Sequence, residues 1–308
     1  MATTEHTTKQ VKIGFYYMSV GRRKKINDTT PYNIADVCKV LSAMLTSLMK
    51  KERIERKHDF SSKEKTIWLD NFSELGNGNY DIVFMSARYN RSRNVINTET
   101  MEEKGMLKQP KDGDEEKTHF CIRLQSGQDR FMTVLEQNFD GVTYNEIEWY
   151  LDQQLEAYYT ETNARCVYTV DFDIVPSKDF LIELKKMRKI NFLTLTVDKS
   201  DPSCCDFLRL AGRDGVRDTV EICLHKKRGK GNEIPFDLIE EYFNETGTFK
   251  RIRKISVQGS NNAGSLKIDT DSIQLKHSIE VGVFGTTNEV DSGDFFAKVK
   301  SDIPQMGG

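Results

Sequence analysis

Apolar residues recur along the first part of the chain with two spacings, one typical of strands and one typical of helices. The runs Val11–Val20 and Ile82–Met85 are short, rich in β-forming residues and bounded by polar segments, so each predicts a strand. Between them, apolar side chains recur every three or four residues over Ile34–Leu48, which predicts an amphipathic helix with one buried face. We expect Thr30 to be the N-cap of this helix and Pro31 to lie in its first turn.

The middle of the chain adds a hairpin and a second long helix. The apolar segments Phe120–Leu124 and Arg130–Gln137 flank a short polar turn, as the two strands of a hairpin do. Thr143 and Glu146 have the spacing of a capping box, which predicts that a helix begins there. The preceding polar stretch Met101–Lys117 contains proline and glycine, and we expect it to form a mobile loop or a lid.

The second half alternates strands and helices without an internal repeat. Cys166–Val175 and Asn191–Asp198 predict strands on either side of a helix at Lys178–Lys189, and a short helix is expected at Cys204–Ala211. The pattern predicts an α+β fold with mixed or antiparallel sheets packed on helices, in two lobes. We divide it into a disordered tail at residues 1–10, an N-terminal domain at 11–164 and a C-terminal domain at 165–308.

Charge is distributed unevenly, although the formal net charge of the 308 residues is only −2. Residues 22–93 contain 15 Lys and Arg against 9 Asp and Glu, whereas residues 99–161 contain 6 against 15. The overall balance therefore does not indicate a nucleic-acid-binding protein, but the local excess of cations indicates an oriented surface.

The sharpest cationic segment follows the strand Ile82–Met85. Arg88, Arg91 and Arg93 alternate there with polar residues and with Tyr89. Guanidinium groups pair with two phosphate oxygens at once, and an aromatic ring between them can stack on a base. Together with the other basic clusters, this segment predicts a DNA-binding surface formed by Arg22, Arg23, Lys24, Lys25, Arg88, Arg91, Arg93, Lys226, Lys227, Arg228, Lys250, Arg251 and Arg253.

Two other kinds of function remain open. Asp171, Asp173 and Glu183, with Lys185 two residues further on, resemble the carboxylates and lysine of a nuclease that uses a divalent metal. Glu183 and Lys185 lie in a helical pattern, however, so their side chains would point to different sides. In the other alternative, the acidic stretch Glu99–Glu161 binds a basic protein, and the chain is an adaptor or inhibitor without nucleic acid. We expect no cofactor, no bound metal and no small-molecule substrate, and an enzyme is the less favoured interpretation.

The order of these segments resembles the RexA-like phage-exclusion family. The resemblance is carried by Ile13-Gly14-Phe15-Tyr16 before a basic turn, by Arg91-Ser92-Arg93 before an acidic loop, and by Asn138-Phe139-Asp140-Gly141-Val142-Thr143 between a strand and a helix. It extends through the strand–proline–helix–strand of residues 167–197. In size and plan the chain is also similar to KwaB, the DNA-binding subunit of Kiwa phage-defence systems.

The resemblance implies a function as well as a fold. Members of the RexA-like family are dimers that bind DNA with little sequence preference and act as sensors for a membrane-embedded effector. We therefore expect a sequence-nonspecific DNA-binding sensor of an anti-phage (abortive infection) system, which binds double-stranded or branched DNA.

The sequence also predicts a location. No signal peptide and no apolar run of ~20 residues are present, and the six cysteines have no C-x-x-C spacing. We expect a cytoplasmic protein with free thiols.

Overall fold

The fold is that of a computed structural model, which describes residues 7–22, 33–91, 94–106, 108–124, 130–163, 168–199, 201, 203–204, 219–227, 229, 233–244, 246, 249, 251–261, 264–284 and 287–306. Helices make up 29% and strands 48% of it, and the sheets are mostly antiparallel, which confirms the predicted α+β fold. Within the described residues, no helix is long and apolar enough to cross a membrane.

The described part of the chain contains six helices and fifteen strands. The helices are α1 (Ile34–Met49), α2 (Arg53–Arg56), α3 (Tyr144–Thr162), α4 (Asp179–Lys185), α5 (Phe236–Phe243) and α6 (Ser292–Met306). The strands are β1 (Thr7–Arg22), β2 (Lys57–Phe60), β3 (Lys65–Gly76), β4 (Asn79–Arg88), β5 (Asn94–Ile96), β6 (Glu103–Met106), β7 (Asp114–Leu124), β8 (Arg130–Glu136), β9 (Tyr168–Ile174), β10 (Lys189–Asp198), β11 (Thr219–His225), β12 (Ile252–Asn261), β13 (Gly264–Asp269), β14 (Lys276–Phe284) and β15 (Glu289–Val290).

The chain divides into two compact units. Unit 1 comprises residues 1–172 and 276–308, and unit 2 comprises residues 173–275. The hydrophobic pattern predicts a single boundary near residue 164, but the chain returns to unit 1 because β14 pairs with β1 along eight residues. Such long-range pairing leaves no mark in the local hydrophobic pattern, which reports only which face of a strand is buried.

Unit 1 is built on a large sheet with the strand order β15-β14-β1-β8-β7-β4-β3-β2, and β9 also pairs with β1. Phe84 and Phe120 face α3, where Phe84 meets Tyr150 with ring centroids 5.5 Å apart. The neighbouring His119 faces the other way and stacks on Phe295 of α6. Because side chains alternate along a strand, α3 and α6 cover opposite faces of the sheet.

Unit 2 has a four-stranded antiparallel sheet with the order β11-β10-β12-β13. Leu193, Leu195 and Val197 of β10 are fully buried on the face that packs against α4 and α5. Phe180 of α4 stacks on Phe243 of α5 with centroids 5.6 Å apart. The apolar stripes of these two short helices therefore close the core of unit 2.

Several expectations about local structure were wrong. Residues 7–10 belong to β1 and pair with β14, so they are not part of a disordered tail. Helix α1 begins after Asn33, whose side-chain oxygen accepts the Ala35 N–H at 2.9 Å, and not after Thr30.

Residues 101–117 contain β6 and the start of β7 and are not a loop throughout. Helix α4 ends at Lys185, because β10 begins four residues later. Thr30, Pro31 and most of the expected helix at 204–211 lie outside the described residues.

Candidate functional site

A buried ion pair holds residues 137–143, which connect β8 to α3. The Lys65 ammonium, which is 0% exposed, donates to the Gly141 carbonyl at 2.6 Å and to Glu146 Oε2 at 2.8 Å. Lys63 donates to the other oxygen of Glu146 at 2.9 Å. We call this segment the 137–143 loop. The hydrogen bonds of Lys65 fix the loop to β3.

The pKa values in this network follow from burial and pairing. Burial acts to raise the Glu146 pKa, but hydrogen bonds from Lys65, from the Thr143 N–H and from Lys63 outweigh it and lower the pKa to about 2. Burial lowers the Lys65 pKa, and the Glu146 carboxylate opposes part of that effect. Glu146 is therefore an anion in the folded protein at neutral pH.

The 137–143 loop is also held through its backbone. The Thr143 N–H donates to Glu146 at 2.9 Å, which confirms the predicted capping box at the start of α3. Ser86 Oγ donates to the Asp140 carbonyl at 2.8 Å. A Cβ at Gly141 would lie 2.3 Å from Asn138 Oδ1 and 2.6 Å from Thr118 Oγ1, closer than van der Waals contact allows. The loop therefore has one tightly packed conformation in which only glycine fits at position 141.

This rigid loop carries an exposed aromatic ring. Phe139 is 89% exposed, more than any other large hydrophobic side chain in the described part of the chain. Its ring packs on no other described aromatic side chain. Because the loop is fixed on both sides of Phe139, the ring is held in solvent by the fold.

Phe139 lies in an open cleft of about 420 Å³. The β1–β14 pairing brings Lys12 opposite Ser278, and the Gln137 N–H donates to the Lys12 carbonyl at 2.8 Å. The lining is cationic, amide-bearing and aromatic, and it consists of Lys12, Gln137, Asn138, Phe139, Lys276, His277 and Ser278. Within the described residues, neither Lys12 nor Lys276 has a carboxylate partner, so both ammonium groups are available to an anion.

Two arginines predicted from the sequence contact Asp140, the residue that follows Phe139. Arg88 Nε is 3.0 Å from Asp140 Oδ1, in an orientation that does not make a hydrogen bond, and Arg91 donates to the same oxygen at 3.3 Å. Asp140 is the neighbour of Phe139 in the chain. The two guanidinium groups thus lie at one carboxylate, which offsets part of their charge.

The remaining predicted cations whose side chains the structure describes belong to unit 2. Arg253 donates to Asp198 at 2.6 Å, and the Arg251 N–H donates to Asp201 at 2.7 Å, both in unit 2. Lys226 and Lys227 are exposed just after β11 of unit 2. Arg22 ends β1, but its side chain is not among those described; the residues that lie outside the described part are Arg23, Lys24, Lys25, Arg93, Arg228 and Lys250.

The proposed nuclease residues do not form a metal site among the described residues. No three Asp, Glu, His or Cys side chains in the described ranges are arranged to hold a metal ion. Glu183 forms an ion pair with Lys186, one turn along α4. The carboxylates Glu136, Asp140 and Glu146 of the acidic stretch are engaged within unit 1.

Sequence reasoning missed Lys12, Lys276 and the role of Phe139. The signal for Phe139 was present, because an aromatic residue between Asn138 and Asp140 in a polar turn has no helical or strand partner to pack against. The two lysines gave no signal, since they are far apart in the sequence and meet only through the β1–β14 pairing.

Comparison of the chain with known protein families and with curated protein sequences finds no match. Its function must therefore be argued from its own residues and geometry.

Proposed function

We propose that this protein binds single-stranded nucleic acid, with little sequence preference, at the cleft around Phe139. The observation that carries the proposal is an aromatic ring, 89% exposed, held on a rigid loop in a cleft with two lysines that have no carboxylate partner among the described residues. Proteins that bind single strands without sequence preference combine exposed aromatic rings, on which bases stack, with cations that follow the phosphates.

Each part of the cleft has a role in this proposal. The Phe139 ring stacks on one base, and Lys12 and Lys276 contact phosphates. The Gln137 amide oxygen can accept a hydrogen bond from a base edge, whereas the Asn138 amide nitrogen is already engaged by Glu116 and by the Lys117 carbonyl. Because Phe139 stacks only on an accessible base, the cleft favours a single strand over the double-stranded DNA predicted from the sequence.

Arg88 and Arg91 extend the cationic surface past Asp140. A phosphate that approaches Asp140 would compete with its carboxylate for both guanidinium groups. Arginine binds phosphate through two parallel hydrogen bonds, so this competition is physically reasonable. The pair therefore serves as a second, weaker phosphate contact in the proposal.

The wider role is proposed from the family resemblance. A RexA-like sensor of phage infection in the cytoplasm would bind exposed single strands and act on a membrane-embedded effector as a dimer. The cleft supports the DNA-binding part of this role, and the resemblance alone supports the rest.

The experiment is fluorescence anisotropy with labelled oligothymidylate at low salt, using wild-type protein and two phenylalanine variants. Base stacking on an aromatic ring contributes ~1–3 kcal/mol, so Phe139→Ala is expected to weaken binding about 5- to 150-fold. Phe284→Ala is the matched control, because Phe284 is also exposed (52%) and lies on β14 of the same unit. Oligouridylate in parallel distinguishes DNA from RNA. Equal binding by both variants, or no binding by the wild type, would contradict the proposal.

A further inference from the structure

The other face of the large sheet holds three side chains in the order serine, histidine, glutamate. Phe120 of β7 pairs with Leu135 of β8, so the adjacent His119 and Glu136 come side by side. His119 Nδ1 lies 2.6 Å from Glu136 Oε2, and His119 Nε2 lies 2.8 Å from Ser292 Oγ. All three residues belong to unit 1.

The hydrogen bonds define the direction of proton donation. In the neutral imidazole whose Nδ1–H donates to the Glu136 carboxylate, Nε2 accepts a hydrogen bond from the Ser292 hydroxyl. Glu136 also accepts the backbone N–H of His119 at 3.2 Å, which holds the carboxylate in place. Serine is thus the donor at the end of this chain of hydrogen bonds, and histidine is oriented to take its proton.

Ser292 and His119 differ in their exposure to solvent. His119 is fully buried, with its ring stacked on Phe295 at 4.6 Å and against the edge of Phe296 at 5.3 Å. Ser292 is partly exposed. Exclusion of water strengthens the electrostatic interactions of the imidazole, while the partly exposed Ser292 is the member of the group that a reagent can approach.

Ser292 lies where a strand turns into a helix. Strand β15 ends at Val290 and α6 begins at Ser292, so the hydroxyl is at the positive end of a 15-residue helix. Nucleophilic serines of α/β-hydrolases occupy a similar strand-to-helix turn, although the sequence Val290-Asp291-Ser292-Gly293 lacks their G-x-S-x-G pattern. Asp291 Oδ1 accepts the N–H groups of Gly293 at 2.8 Å and Asp294 at 3.1 Å, so two backbone donors beside Ser292 already hold an anionic oxygen.

We infer that Ser292, His119 and Glu136 form a nucleophilic site that reacts with carboxylic esters or related electrophiles. In this reaction Ser292 Oγ forms a bond to the carbonyl carbon as its proton passes to His119 Nε2. The ester C–O bond then breaks, and the leaving alcohol takes the proton from Nε2. Water, deprotonated by the same nitrogen, then forms a bond to the acyl carbon; the bond from that carbon to Ser292 Oγ breaks, Nε2 returns the proton to Oγ, and the acid is released. The Gly293 and Asp294 N–H groups stabilise the oxyanion once the Asp291 carboxylate moves aside.

The test is covalent labelling of the full-length protein with a fluorophosphonate, followed by mass spectrometry of the peptides. Ser292 Oγ would bond to phosphorus, the P–F bond would break, and fluoride would leave as Nε2 takes the proton. We expect a label on Ser292, no label on exposed Ser278 of the same unit, and loss of labelling in the Ser292→Ala variant and in denaturant. Absence of the label from Ser292 in folded protein would overturn the inference.

A second variant separates a nucleophilic site from a buried polar contact. Glu136→Gln keeps the side-chain volume but removes the negative charge that would stabilise the protonated imidazole, so labelling is expected to slow ~100-fold or more. An unchanged rate in folded Glu136→Gln protein would also overturn the inference. If that variant does not fold, the Ser292→Cys variant replaces it. Its alkylation by iodoacetamide should be at least tenfold faster than that of exposed Cys223 in the same molecule, and an equal rate counts against the site.

Discussion

The Lys65 ammonium is completely buried and lies 2.8 Å from Glu146 Oε2, so one ion pair joins the first residue of β3 to the first turn of α3. The same ammonium holds the Gly141 carbonyl at 2.6 Å. The loop that exposes Phe139 is therefore held by a charged ammonium group that has no contact with solvent. Its rigidity is the physical basis of the proposed binding site.

Removal of one partner of this pair should be strongly destabilising. Lys65→Met leaves Glu146 buried without its main partner, and breaking a buried ion pair in this way typically lowers the free energy of unfolding by ~3–5 kcal/mol. Lys63→Ala removes an ammonium that is 47% exposed and bonded to the same carboxylate, and the loss should be below ~1 kcal/mol. Urea unfolding of the two variants measures the difference. Similar losses for both would show that the buried position of Lys65 has no special role.

The Glu146 carboxylate should make stability depend on pH in the acid range. Its pKa is lowered from 4.5 to about 2 in the folded protein, so its contribution is fully present above pH 4.5 and is lost as the pH falls towards 2. At ~1.4 kcal/mol per pKa unit, the contribution is ~3 kcal/mol. Thermal unfolding between pH 6 and 2 should show a smaller acid-induced loss in Glu146→Gln than in the wild type. Glu156→Gln, an exposed change on the same helix, is the control and should follow the wild type.

Gly141→Ala should displace the loop that carries Phe139. The added methyl group would approach Asn138 Oδ1 to 2.3 Å and Thr118 Oγ1 to 2.6 Å, so either these hydrogen-bonded side chains or the loop must shift. Overpacking of this kind typically destabilises by ~1–3 kcal/mol. We expect weaker oligothymidylate binding together with the stability loss. Gly76→Ala is the control, because Gly76 lies in a turn with open space around it. The added methyl group would strain the left-handed backbone there but would not collide with another atom. This variant should bind oligothymidylate as the wild type does. Binding by Gly141→Ala at wild-type strength would count against the requirement for a rigid loop.

Asp140→Asn should strengthen nucleic-acid binding. Asp140 offsets the charge of Arg88 and Arg91, and its amide counterpart would leave both guanidinium groups available to phosphate. We expect affinity for oligothymidylate to rise several-fold at low salt and the gain to shrink as salt screens the charges. Asp36→Asn is the matched control, because Asp36 pairs with Lys39 on the exposed face of α1. A loss of affinity in Asp140→Asn would place the arginines outside the binding surface.

Much of the fold could be predicted from local patterns. The β7–β8 hairpin, the capping box at Thr143 and the amphipathic face of α1 all appear where the hydrophobic spacing and turn residues indicate. These features depend on neighbouring residues alone. The return of β14 to the edge of β1 could not be predicted, because strand pairing between distant segments is set by the whole core.

The candidate site illustrates the same limit. The basic segment around Arg88 and Arg91 was visible in the sequence, but Asp140, which pairs with both, lies 49 and 52 residues away from them along the chain. Lys12 and Lys276 were not singled out, because an isolated lysine on a strand is usually a solvated side chain. Only the folded structure distinguishes cations that have carboxylate partners from cations that do not.

The central claim is that Lys12 and Lys276 contact phosphates, and the salt dependence of oligothymidylate binding tests it most directly. Each phosphate contact contributes ~0.7 to the slope of log affinity against log salt concentration for a single strand. The Lys12→Ala/Lys276→Ala double variant should therefore reduce the magnitude of the slope by ~1.4, whereas Lys226→Ala/Lys227→Ala should leave it unchanged. The proposed phosphate contacts would be contradicted by a slope that is unchanged in Lys12→Ala/Lys276→Ala and reduced in Lys226→Ala/Lys227→Ala.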